Sequence, residues 1–102
     1  MTEDEAAITA EVEARRDALV ALTQALVRIP SVNPPGALNA DCAALIAERL
    51  APHGFAIETL RARGALADTD EHPRVNVLAR RAGTGPGPSV HFNSHYDVVP
   101  PG

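Results

Sequence analysis

The sequence contains no lysine and no tryptophan, three aromatic residues and a single cysteine, Cys42. One cysteine cannot form an intrachain disulfide, so we expect a reducing, cytoplasmic compartment. The nine arginines are spread among 13 acidic residues, so no basic patch for nucleic acid is expected. No apolar run approaches the ~20 residues of a membrane span. The acidic start also lacks the apolar core of a secretory signal.

The hydrophobic fraction of 45% excludes an intrinsically disordered acidic tail. Alanine, however, supplies 19 of these hydrophobic residues, and large apolar side chains are correspondingly few. The 102 residues fit one modest domain or part of a larger one. We therefore expect a thin core and marginal stability in isolation.

Two helices are predicted in the first half of the chain. The first covers residues 3–28, with Thr2 and Glu5 at the spacing of a capping box and Pro30 ending it. The second covers about 40–52, with Asn39 as its N-cap. Gly54 is well placed as its left-handed stop.

Three strands are predicted after the helices, over residues 55–60, 75–79 and 89–95. The α-α-β-β-β order predicts an α/β fold in which two helices cover one face of a three-stranded sheet. The loop 61–73 carries a charged cluster of two aspartates, a glutamate and a histidine. Such loop clusters are usually solvated, so we favour that interpretation over a metal site.

The last predicted strand leads to the candidate site. His95 lies at its carboxyl end, where α/β sheets place their sites, and Asp97 follows two residues later. A metal-ligating histidine usually donates its other ring N–H to a carboxylate, which fixes the tautomer. His-x-Asp can supply both groups, but the same pair also fits a structural histidine, so both interpretations stay open.

A longer stretch of sequence carries a family resemblance. The segment Ser94-His-Tyr-Asp-Val-Val-Pro100 resembles the Gly-His-x-Asp-Val-Val-Pro motif of a zinc peptidase family. That family includes acetylornithine deacetylase, succinyl-diaminopimelate desuccinylase, aminoacylase and glutamate carboxypeptidases. Residues 22–36 resemble its first helix and exit loop, and residues 76–80 resemble the strand before the motif. Ser94 departs from the common glycine, but serine is also small.

The resemblance implies roles for two residues. His95 would bind one zinc of a two-zinc site, in which cobalt could substitute, and Asp97 would orient His95. The family hydrolyses the amide bond of N-acyl amino acids and short peptides, with a water shared by both metals. The intact parent is thus expected to be a cytoplasmic hydrolase acting on such small substrates, and a homodimer is compatible with the family.

The family's remaining metal ligands and its general base lie downstream of this motif. The resemblance therefore implies that residues 1–102 are the truncated N-terminal part of a metallopeptidase catalytic domain, without the lid or dimerisation domain. One ligand is too few for a catalytic zinc, so these residues alone are expected to be inactive. The alternative is a small α/β interaction module, or a decayed gene remnant, without metal chemistry. The reading frame beyond codon 102 discriminates between these hypotheses.

Overall fold

The computed structural model describes residues 1–102 and confirms an α/β chain, with helices preceding a small sheet. The elements are α1 (Glu3–Ala14), α2 (Arg16–Val27), α3 (Asn39–Leu50), a 3₁₀ turn (Ala51–His53), β1 (Ala56–Arg61) and β2 (Val75–Arg80). The predicted order therefore changes to three helices followed by two strands. None of the helices combines the length and apolar character needed to cross a membrane.

The predicted first helix is two helices, because the chain leaves the helical conformation at Arg15 (φ −98°, ψ 10°). The capping box at the start is confirmed, with Thr2 and Glu5 bonded to each other's backbone N–H. The Leu19 N–H still donates to the Arg15 carbonyl, so hydrogen bonding continues past the break. Arg15 is neither proline nor glycine, and the apolar spacing used for the prediction does not encode such a local distortion.

Helix α3 begins differently from the prediction. The N-cap position belongs to Leu38, which adopts a left-handed conformation (φ 53°), and no side chain caps the helix there. Asn39 is instead buried, and its Oδ1 accepts a hydrogen bond from the Val75 N–H at 2.7 Å. The sequence predicts that the Asn39 side chain caps α3, but in the structure this side chain bonds to the backbone of β2 instead. The left-handed stop at Gly54 (φ 78°) is confirmed.

Strands β1 and β2 form an antiparallel pair in which Thr59 lies opposite Val77. Both strands lie within one or two residues of their predicted positions. Helix α3 packs against both strands, mainly against β2. The core is as thin as expected, since Cys42 and Ala43 of α3 are its fully buried apolar residues.

The third predicted strand is not formed. Residues 89–95 form no regular secondary structure and pair with no strand, and Val90 and Phe92 are 78% and 89% exposed. A single parallel bridge joins Val32 to Val98 just beyond this segment. Alternating side chains indicate an extended backbone, but they do not specify a neighbour for its hydrogen-bonding groups. The predicted three-stranded sheet is therefore a two-stranded one.

Candidate functional site

The structure brings the two candidate site residues into direct contact. The Nδ1 atom of His95 lies 2.7 Å from Oδ1 of Asp97 and 3.2 Å from the Asp97 carbonyl oxygen. A carbonyl oxygen only accepts hydrogen bonds, so the neutral ring carries its proton on Nδ1. The His95 side chain is 85% exposed. Its Nε2 makes no hydrogen bond, so in the neutral ring this atom presents its lone pair to solvent.

Asp97 is held by a second hydrogen bond from the other end of the chain. Asn33 donates its Nδ2–H to Oδ2 of Asp97 at 2.9 Å. The hydrogen bond from Asn33, followed by the one from His95, lowers the pKa of Asp97 below its ordinary value. The carboxylate is therefore ionised at neutral pH and serves as an acceptor on both of its oxygens.

The parallel bridge explains why Asn33 and Asp97 meet. The Asn33 N–H donates to the Val98 carbonyl at 2.8 Å, and the Val98 N–H donates to the Ser31 carbonyl at 3.0 Å. These two backbone bonds fasten the loop after α2 to the segment that carries the site. The two side chains adjacent to the bridge are thereby brought within hydrogen-bond distance.

Tyr96 fastens the same segment to the folded part of the chain. Its hydroxyl donates to the Val75 carbonyl at the start of β2 and lies 3.0 Å from Oδ1 of Asn39. Its backbone carbonyl accepts a hydrogen bond from the Ser31 hydroxyl at 3.1 Å. Burial raises the pKa of the Tyr96 phenol, which stays protonated and a donor. The Ser31 hydroxyl thus makes a structural hydrogen bond that holds this segment.

Arg74 supports Asn33 from the far side. Its Nη2 donates to Oδ1 of Asn33 at 2.9 Å and to the Pro35 carbonyl at 3.0 Å. Gly36 (φ 92°) leaves the space that the guanidinium occupies, since a Cβ there would lie 2.3 Å from Nη1. Sequence reasoning missed both Asn33 and Arg74. The one available signal is that Asn33 lies in the 22–36 segment that carries the family resemblance.

The acidic loop is built into the fold rather than fully solvated as predicted. Arg61 forms ion pairs with Asp68 and Asp70, and the Asp68 side chain is 5% exposed. The Arg74 backbone N–H also donates to Asp68. Hydrogen bonds from Arg61 and then Arg74 lower the pKa of Asp68. Asp70, by contrast, remains at the surface.

The residues of this site can supply one ligand to a metal ion. His95 offers a free, exposed Nε2 with its proton fixed on the opposite nitrogen, which is the arrangement that metal-binding histidines use. No three side chains of the His, Cys, Asp and Glu types come together as a complete ligand set. Cys42 is buried in α3, and burial raises the pKa of its thiol.

Three curated proteins similar to this chain share one name. The chain is 42% identical over 85 residues to a succinyl-diaminopimelate desuccinylase of Bordetella petrii, and 41% identical over 83 residues to one of Granulibacter bethesdensis. A third, from Delftia acidovorans, is 40% identical over 82 residues. The matches cover 79–83% of this chain but 18–19% of each relative, so the chain spans about a fifth of their length. No protein-family model and no solved structure matches the chain.

Proposed function

Since the chain belongs to the family of the succinyl-diaminopimelate desuccinylases, we propose that it carries a metal-ligating segment of a metal-dependent amide hydrolase. The observation that carries this proposal is the His95–Asp97 contact of 2.7 Å, with Nε2 of His95 exposed to solvent. Asp97 is also held on its second oxygen by Asn33, as expected for a carboxylate that orients a metal-ligating histidine.

In this proposal His95 binds one metal ion through Nε2, and Asp97 holds the ring in the orientation and tautomer that this requires. Zinc ions bound there, or cobalt in their place, would polarise the scissile carbonyl and activate a water for attack. The chain's own contribution is to keep the proton on Nδ1.

The proposed substrates are N-acyl amino acids or short peptides, and the names of the relatives favour an N-succinyl amino acid. Hydrolysis splits the amide and leaves a carboxylate and an amine, with the elements of water divided between them. We assign residues 1–102 to the N-terminal part of a zinc-peptidase-type catalytic domain. We also propose that the parent protein is cytoplasmic and homodimeric.

These 102 residues are proposed to be inactive by themselves. A catalytic zinc normally takes three protein ligands and a water, and His95 supplies one of them. Assaying the purified chain with added zinc or cobalt on an N-acyl amino acid tests this directly. Turnover above the metal-only blank would contradict it.

A chimeric enzyme tests the metal role. The present chain replaces the corresponding segment of the Bordetella petrii relative, to which it is 42% identical, and succinyl-diaminopimelate hydrolysis is measured with zinc. We expect the chimera to be active. We expect His95→Ala to lower its activity at least about 100-fold, because a directly ligating side chain is lost.

The matched control is His91→Ala in the same chimera, because His91 is an exposed histidine four residues earlier. It is expected to keep the activity of the parent chimera. An active chimera whose activity survives His95→Ala would overturn the proposed role of His95. Equal losses from both histidine variants would instead assign the effect to folding of the segment and would also count against the proposal.

A further inference from the structure

We propose that Asn33, held in place by Arg74, is a positioning residue for the His95–Asp97 pair. The inference rests on the proposed function for its metal, but its geometry does not involve the metal. Asn33 touches neither the reacting atoms nor Nε2 of His95, and it acts through the carboxylate of Asp97.

The side-chain amide of Asn33 has a defined orientation. Its Oδ1 accepts from the Arg74 guanidinium at 2.9 Å, and its Nδ2 donates to the Asp97 carboxylate at 2.9 Å. A flipped amide would place two donors against the guanidinium and an acceptor against the carboxylate, and both contacts would become repulsive. Arg74 therefore determines which end of the amide Asp97 meets.

The orientation of the Asn33 amide determines which oxygen of Asp97 each neighbour occupies. Asn33 occupies Oδ2 of Asp97, and Oδ1 remains for His95 at 2.7 Å. With both oxygens engaged, the Asp97 side chain is held from two sides, which confines it although it is partly exposed. The His95 ring is exposed and has no other fixed partner, so its orientation and tautomer depend on that confinement.

Arg74 is itself anchored by hydrogen bonds to the surrounding loops. Its backbone N–H donates to Asp68 at 2.7 Å, its Nε donates to the Ala67 carbonyl at 3.1 Å, and its Nη2 also donates to the Pro35 carbonyl. Asp68 in turn is bonded to Arg61 at the end of β1. A continuous hydrogen-bonded series thus runs from the sheet through Arg74 and Asn33 to the site.

Nuclear magnetic resonance of the ring nitrogens tests the inference without metal. At a pH where the His95 ring is neutral, we expect the unchanged chain to show mainly the Nδ1–H tautomer. Asn33→Ala should move His95 toward the Nε2–H tautomer that free histidine side chains prefer in water. Asn93→Ala is the matched control, since Asn93 is exposed, makes no side-chain hydrogen bond and lies closer to His95 in sequence.

Titration of the chimera described above with Zn²⁺, followed by the His95 ring signals, provides the second readout, because the chimera restores the rest of the relative's chain. Loss of an outer partner typically weakens metal binding 10–100-fold, and we expect about a tenfold loss for Asn33→Ala. His53, which is exposed and makes no side-chain hydrogen bond, is the internal reference for nonspecific binding. Weak Zn²⁺ binding at His95 no tighter than at His53 would count against the proposed function, while the tautomer shift would still support positioning.

Two Arg74 variants provide a second test of the inference, which can be used if Asn33→Ala fails to fold. Arg74→Lys retains a donor for Oδ1 of Asn33 and is expected to keep the Nδ1–H tautomer, whereas Arg74→Met is expected to lose it. The Val75 and Tyr96 amide signals report whether each variant keeps the contacts that hold the segment. An unchanged tautomer in folded Asn33→Ala, or identical tautomers in the two Arg74 variants, would overturn the inference.

Discussion

At the scale of the residue, side-chain hydrogen bonds compensate for the small apolar core. No buried side-chain nitrogen or oxygen lacks a partner. Asn39, Tyr96 and Asn33 each connect segments that are far apart in the sequence. Such bonds add about 1 kcal/mol each, but leaving one buried partner unsatisfied costs more. Stability should therefore be sensitive to single polar substitutions and to pH.

Asp68 gives the clearest pH prediction. Its pKa is lowered by Arg61 and Arg74, so the folded state binds its proton less tightly than the unfolded state does. Its stabilising contribution is fully present above the unfolded pKa of about 3.9 and is lost as pH falls through the lowered folded pKa. Asp68→Asn should therefore lower the urea midpoint at pH 7, and this deficit should shrink progressively below about pH 4.

The control for Asp68→Asn is Glu58→Gln, which removes an exposed carboxylate of β1 that makes no side-chain hydrogen bond. It should leave the midpoint at pH 7 close to that of the unchanged chain. A deficit for Asp68→Asn that stays constant between pH 7 and pH 2 would show that the effect is unrelated to the charge of Asp68.

The site residues differ in how far sequence alone could predict them. His95 and Asp97 are two positions apart, so their contact is local and follows from an extended backbone and a short motif. Asn33 lies 64 residues from Asp97 and 41 from Arg74. Contacts of that separation depend on how loops are packed, which no local pattern encodes. The contact between His95 and Asp97 was therefore predictable, whereas the hydrogen bonds that Asn33 and Arg74 add to it were not.

At the scale of the element, two loops do more than the sheet to shape the site. The loop after α2 is fastened to residues 96–98, and the loop between the strands delivers Arg74 to it. The two loops approach closely at Gly36, because the Arg74 guanidinium lies where a side chain would begin. The conformation of Gly36 is also one that favours glycine (φ 92°).

Gly36→Ala should therefore destabilise the chain for two reasons. The positive φ costs about 1–3 kcal/mol for a non-glycine residue. The new Cβ also forces the Arg74 guanidinium away from Asn33 and Pro35, which loses hydrogen bonds worth about 1 kcal/mol each. Urea denaturation measures the free energy of unfolding.

Gly64→Ala separates these two effects. Gly64 has a similar φ of 84° but no atom within 4 Å of the added Cβ, so it carries the backbone cost alone. Gly36→Ala should be the more destabilising of the two and should also disturb the His95 ring signals. Equal losses for both variants would show that the close approach of Arg74 contributes nothing.

The elements themselves were predicted unevenly, for physical reasons. β1, β2 and α3 follow from apolar periodicity with clear stop signals such as Gly54. The break at Arg15 has no residue-type signal, and a strand over 89–95 would require a neighbour that periodicity cannot identify. Prediction thus succeeded for elements whose own residues specify them. It failed where the structure depends on contacts with other parts of the chain.

At the scale of the whole molecule, the chain is more extended than a compact domain of its size. Its accessible surface is 8290 Å², whereas about 5,500 Å² is typical of a compact protein of this mass. The radius of gyration is 16.4 Å, against about 13 Å for a compact domain of this length. Folding energy is accordingly concentrated where α3 packs against β1 and β2.

Local stability should follow this distribution. Helix α1 buries no residue and has α2 as its main neighbour, and residues 89–95 form no strand pairing. Helix α3 carries the buried Cys42 and Ala43 and packs against both strands. We expect amide hydrogen exchange in α3 and β2 to be at least about tenfold slower than in α1, which corresponds to about 1.4 kcal/mol of opening free energy.

Hydrogen exchange followed residue by residue tests that expectation, with rates corrected for the intrinsic exchange of each amide. Deleting residues 1–14 provides an independent check, because α1 contributes nothing to the contact of α3 with the sheet. The deletion should leave the protection of α3 and β2 unchanged. Uniform protection along the chain, or loss of protection in β2 after the deletion, would show that the two ends of the molecule unfold as one cooperative unit.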